Sequence, residues 1–274
     1  HYQQGAYLQK GFEKHGPLSN PYAFGYFPAM PHGSEPRFTH NFVLYDHGAL
    51  PAHYSGHLFG VEPIQGRIVE SEVLPDRSSF RTRDLSRPVT SDDRWFRPVD
   101  IKAGPDGALY VADWYDQQVN HYRNHEGQMD ASNGRVYRLR AKGARAVPAE
   151  DLSRQTSAQL VERLTSPNRW TRQTALRLLA DRKDAALNPG LSAALSRTTG
   201  QAALETLWAL NLCGGLTTSE SLRALAHPDP FVRLWTVRLL GDGQPLPPEA
   251  ASRLAALAAT EPNLRSEERR VGKE

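Results

Sequence analysis

The sequence predicts a β-plus-α chain, in which strand meanders of β-propeller type are followed by a stack of helix pairs. Three observations carry this. Short alternating apolar runs broken by turn residues fill residues 38 to 140. Beyond residue 151 the hydrophobic period changes from that of a strand to that of a helix. Within that second part the chain repeats itself.

The most legible stretch is Trp95 to Tyr115, WFRPVDIKAGPDGALYVADWY. Val99 to Ala103 and Leu109 to Asp113 are β-prone. Gly104-Pro105-Asp106-Gly107 between them supplies a fixed φ, an Asx side chain and glycines that tolerate positive φ, so a hairpin is predicted. Arg135 to Leu139 alternates in the same way and completes a three-stranded meander. An earlier meander is predicted from Phe42 to Tyr45, His57 to Val61 and Arg67 to Val73, with turns at Asp46-His47-Gly48 and at Pro63 to Gly66. Two meanders cannot close a ring, and the chain opens on His1, so the remainder of a propeller is expected upstream. Residues 1–37, with Pro17, Pro21, Pro28, Pro31 and Pro36, are expected to form a long loop held by Tyr22, Phe24, Tyr26 and Phe27.

Composition shifts near residue 145. All ten Tyr, nine of the ten His and 14 of the 21 Gly precede it, which marks a domain boundary. The predicted division is 38–142 for the two meanders, 143–151 for a linker, 152–265 for helical repeats and 266–274 for a charged, non-native tail. The first helix is expected from Thr156 to Leu164 with Ser157 as N-cap, and the next to open at Ser166-Pro167. SPNRWTRQTALRLLAD at 166–181 then matches HPDPFVRLWTVRLLGD at 227–242, 61 residues on, with Ala202 to Leu212 supplying a helix between them. Helix pairs repeating in this way are expected to stack into an α-solenoid; the pattern resembles HEAT repeats, and its matched Arg172, Arg233, Asp181 and Asp242 suit hydrogen bonds between units.

Several function classes lack their signatures. Lys+Arg of 33 against Asp+Glu of 30 gives a formal +3 with the charges mixed, so nucleic-acid binding is not indicated. No apolar run approaches the length of a membrane span. Cys213 stands alone among apolar residues and is expected to be a small buried hydrophobe. Phosphate loops, metal-binding Cys pairs, His-Glu-x-x-His, Gly-x-Ser-x-Gly and a heme-attachment motif are all absent. Two candidate sites remain. Arg97, at the start of the hairpin, has a guanidinium suited to a carboxylate or quinone oxygen, or else to an ion pair with Asp93 or Asp100. The cluster Asp113, Trp114, Tyr115 and His121 suits a polar pocket, or else a packed loop, and its spacing matches no metal-ligand template.

RPVDIKAGPDGALYVAD, with LFGVEPIQGRIV before it and GRVYRL after it, resembles the closing blade of the soluble glucose/sorbosone dehydrogenases. The longer run TSDDRWFRPVDIKAGPDGALYVADWYDQQVNHYRNHEG, joined to helical repeats, is similar to the membrane-bound dehydrogenase family of planctomycetes and verrucomicrobia. The resemblance implies a six-bladed propeller that binds pyrroloquinoline quinone and calcium. It also implies a cell-envelope or periplasmic setting, and a heme-bearing cytochrome domain beyond this chain. Arg97 and Asp100 fall on the family's Arg-x-Arg-Asp run, with Val99 in place of the second arginine and Ile64 near the place of a cofactor-contacting lysine. The implied activity is oxidation of a sugar or alcohol. The alternative is a non-catalytic binding module for polysaccharide or for a protein partner on the helical repeats.

Overall fold

The computed structural model describes residues 41–76, 79–117, 132–144, 150–242 and 246–262, together with strands β1 (Ala6–Tyr7) and β2 (Gly25–Tyr26). The chain divides into two compact units, His1–Glu35 and Pro36–Glu274. In the first, β1 and β2 pair in parallel, Ala6 opposite Gly25. The expected anchors Tyr22, Phe24 and Phe27 lie outside the described residues, as does the tail 266–274.

In the second unit β3 (Phe42–Tyr45), β4 (His57–Glu62), β5 (Arg67–Asp76) and β6 (Ser79–Thr90) form an antiparallel sheet in that order. A second antiparallel sheet holds β7 (Pro98–Ala103), β8 (Leu109–Asp113) and β9 (Arg135–Leu139). The β7–β8 turn is the one predicted: Gly104 N–H donates to Ala108 O at 2.9 Å and Gly107, at φ 73°, donates to Gly104 O at 3.0 Å. Strand β6 was not predicted. Its sequence SFRTRDLSRPVT has no apolar alternation, and it is held to β5 by polar partners, Ser71 with Asp84 at 2.8 Å and Glu72 with Arg83.

Neither sheet closes. The expected class, C-terminal blades of a six-bladed β-propeller followed by a HEAT-like α-solenoid, is therefore corrected to two open antiparallel sheets with seven α-helices among the described residues. The physical reason lies in what alternation specifies, namely the buried face of a strand and not the array of sheets. Here β3 and β4 lie against β7, and one core of Tyr45, Phe59, Val61, Ile68, Ile101, Leu109 and Val111 serves both sheets. That core buries the inner faces without a ring.

The helices are α1 (Ser157–Arg163), α2 (Arg169–Arg182), α3 (Asn188–Leu195), α4 (Gly200–Leu212), α5 (Thr218–Ala224), α6 (Pro230–Gly241) and α7 (Pro248–Thr260). They pack as α1 with α2, α3 with α4 and α5 with α6, and α4 also lies between α2 and α6. The central helix accordingly buries Ala203, Leu207, Ala209 and Leu210 completely. Cys213, at its end, is buried, and burial pushes its thiol up. Two caps differ from expectation. Thr156, rather than Ser157, closes a capping box with Gln159, and Asn168, rather than Ser166, caps α2, whose first residue is Arg169 and not Pro167. Asn168 takes the cap because its amide also donates to Gly104 O and Pro105 O, at 3.3 and 3.0 Å, joining helix to hairpin turn. Among the described residues no helix is long and apolar enough to cross a membrane.

The hairpin turn carries a pH prediction. Burial alone would raise the Asp106 carboxyl, but the Ala108 N–H and the Arg138 guanidinium outweigh it and hold it below the ordinary carboxylate value. A carboxyl lowered by folding stabilises the fold above the unfolded value of about 3.9, and that contribution is lost as pH falls through the folded value. The stability advantage of wild type over Asp106→Asn should therefore shrink between about pH 6 and about pH 3, read from urea midpoints. A constant gap across that range would refute the linkage.

Candidate functional site

The corner after β8 brings together most of the residues singled out in the sequence. Trp114 N–H donates to Arg97 O and Asp116 N–H to Trp95 O, both at 3.0 Å, so residues 95–97 and 114–116 are laced together. Asp113, 4 % exposed, accepts from Arg97 N and Tyr115 N, each at 2.8 Å. Those bonds hold Tyr115 at φ 55°, a left-handed conformation costly for a residue with a side chain. Its ring lies between Trp95, at 5.6 Å, and the Arg135 guanidinium, at 3.5 Å. Across β9, partial burial and then the Asp113 charge push the Tyr137 hydroxyl up. Trp114 is among the exposed large apolar residues, and His121 lies outside the described residues.

Arg97 is half-buried, and its guanidinium donates to Phe96 O at 3.2 Å and to Gln117 O at 2.9 Å. Asp100 binds Lys102 at 3.0 Å, its neighbour's Ile101 N–H at 2.9 Å and the Asn41 amide. Burial would raise its carboxyl, and these three bonds together bring it below the usual value. Val99 sits at a break in the β7–β8 register between Pro98 and Asp100. Ile64 is in the β4–β5 turn. The residues present do not fit pyrroloquinoline quinone: Nη1 and Nη2 of the Arg97 guanidinium serve backbone carbonyls, its Nε is buried without a partner, and Val99 and Ile64 offer no charge. For calcium, no group of three or more His, Cys, Asp or Glu stands together among the described residues. Arg97→Ala should then lower stability by about 0.5–1.5 kcal/mol, mainly through the part-buried Phe96 carbonyl, since water can replace the donor at exposed Gln117 O. An unchanged urea midpoint would remove that structural role.

A second place was not singled out in the sequence. A cavity of about 610 Å³ lies between β3 and the face shared by α2, α4 and α6. Leu176, Trp208 and Trp235 give it apolar walls, and the two indoles meet edge-on with ring centroids 4.9 Å apart. At its floor Arg172, 8 % exposed, binds Glu205 at 2.9 Å through Nε, Asp46 at 2.9 Å through Nη2, and Ser166 O and Pro167 O through Nη1. Arg233, its match in the repeat, makes the same pair of loop bonds, to His227 O and Pro228 O, and pairs Glu261. The repeat alignment identified the arginines. Asp46 and Glu205 could not be found that way, because they reach Arg172 from residues 126 and 33 positions distant.

Two open sheets and a helical array thus border a groove of mixed polarity between β3 and helices α2, α4 and α6. Residues 23–143 match the family described as Domain of unknown function (DUF7133). The match covers the two sheets, including Asp46, and stops before the helical wall of the groove. No curated protein and no solved structure matches the chain.

Proposed function

We propose that the chain is a non-catalytic binding module whose ligand lies in the groove between β3 and helices α2, α4 and α6. The carrying observation is the cavity itself, about 610 Å³, with two indoles on its wall and a buried Arg172 cluster at its base. That combination of apolar wall and a few convergent polar groups is the usual make-up of a ligand site. The same residues supply no nucleophile paired with a base. Sugar or alcohol dehydrogenation is carried by the resemblance alone, and the engaged Arg97 counts against its quinone.

The test is binding of the full chain to a glycan array and a tiled peptide array, beside the groove-filling variant Leu212→Trp at the rim. Ligands lost on filling support the module. Silence on both arrays, with stoichiometric quinone binding and dye reduction by sugars, would overturn it in favour of the dehydrogenase.

A further inference from the structure

We infer that the groove takes a neutral saccharide, anchored by one ring hydroxyl between Glu205 and Trp208; this rests on the binding-module reading. The observation behind it is a departure from the chain's own repeat. Arg233 engages both oxygens of Glu261, Nε to Oε2 at 2.7 Å and Nη2 to Oε1 at 2.6 Å. Arg172 engages only Oε1 of Glu205, because its Nη2 is turned to Asp46. Glu205 Oε2 is thereby left without a partner, in a side chain 3 % exposed. Three residues on, and so on the same helical face, the Trp208 indole N–H is also buried and unpartnered.

A carboxylate oxygen can only accept, and an indole N–H can only donate. A hydroxyl can serve both through a single oxygen, donating to Oε2 and accepting from Nε1, where a ligand amide would need two different atoms. Leaving both buried and unpaired is costly, so a ligand that satisfies them gains accordingly. The surroundings narrow the class. Asp46, Glu205, Arg169 and Arg172 are the charged residues lining the cavity, two of each sign, so the lining as a whole favours no ion. The indoles of Trp208 and Trp235 line the cavity and give it aromatic surface of the kind that packs on the C–H face of a pyranose ring, although the Arg238 guanidinium covers one face of Trp235 at 4.8 Å. Gln173, Gln201 and Asn211 at the lining add donors and acceptors for the remaining hydroxyls.

The experiment titrates the full chain with maltohexaose, cellohexaose and xylohexaose, followed by indole fluorescence and calorimetry, with hexagalacturonate as the anionic comparator. Binding of at least one neutral hexasaccharide is expected, weakened about tenfold or more in both Trp208→Phe and Glu205→Gln, with hexagalacturonate weaker. Trp208→Phe keeps the Arg172–Glu205 pair, so it remains informative if Glu205→Gln fails to fold. Saccharide affinity unchanged in Trp208→Phe overturns the anchor, while the module reading survives. No binding of any neutral hexasaccharide up to about 10 mM overturns the saccharide, and the peptide array then decides the module separately.

Discussion

Gly107→Ala should lower the unfolding free energy by roughly 2–5 kcal/mol, the sum of a left-handed backbone forced on alanine and an overlap that cannot relax. Gly107 is at φ 73°, and a Cβ there would stand 2.5 Å from Gly48 Cα and 3.1 Å from Ala49 N. Gly48, at φ 144°, meets Gly107 from the other side, its own Cβ 2.4 Å from Gly107 Cα. Both obstacles are main chain, which cannot rotate away as a side-chain end would. The contact also matters for the fold, because Ala49 N–H donates to Gly107 O at 3.0 Å and Ala141 N–H to Ala49 O at 2.7 Å. The glycine pair thus lets the β7–β8 turn meet the segment after β3. Gly56→Ala separates the two causes: Gly56 is at φ 84° with nothing within 4 Å of a Cβ, so only strain of about 1–2 kcal/mol is expected. Equal losses at the two positions, by urea denaturation, would show that the close approach costs nothing.

Arg172→Ala is expected to destabilise by about 3–5 kcal/mol, the usual consequence of stripping the counter-charge from a buried carboxylate. Glu205, 3 % exposed at its side chain, would keep only the Gln201 amide, at 2.7 Å. Ser166 O and Pro167 O would lose the same donor, which opens the turn ahead of α2. Arg172→Lys should recover little, because one ammonium cannot replace a planar fork that reaches two carboxylates and two carbonyls. Asp46→Ala supplies the contrast: its side chain is 25 % exposed, so solvent screening reduces its loss to about 1 kcal/mol or less. An Arg172→Ala protein within about 1 kcal/mol of wild type would remove this cluster from the forces holding sheet to helices.

Local grammar was enough for much of the fold. Gly104-Pro105-Asp106-Gly107 defines a hairpin because its residues satisfy the φ requirements of that turn within a few positions. Strands β3, β4, β5, β7, β8 and β9 lie on runs whose alternation is visible in the sequence, and the match the chain makes with itself singled out Arg172 and Arg233 for bonds between units, which their Nε atoms make to Glu205 and Glu261; their bonds to the loops ahead of their own helices were not foreseen. Strand β6 was not legible, since its partners are polar and belong to β5. At the corner, Arg97 was legible as a strand-start guanidinium. That it would serve Phe96 O and Gln117 O was not, because the path of residues 114–117 decides it.

The sequence by itself therefore determined six of the strands, helices α1, α2, α4 and α6, and the change from sheet to helix near residue 150, all of which depend on neighbours a few residues apart. Only the tertiary structure decided that the sheets stay open over one shared core, and that Asp46 draws one nitrogen of Arg172 from Glu205. These outcomes turn on groups brought together from distant parts of the chain, where the compromise among packing, charge and hydrogen bonding has no local pattern to announce it.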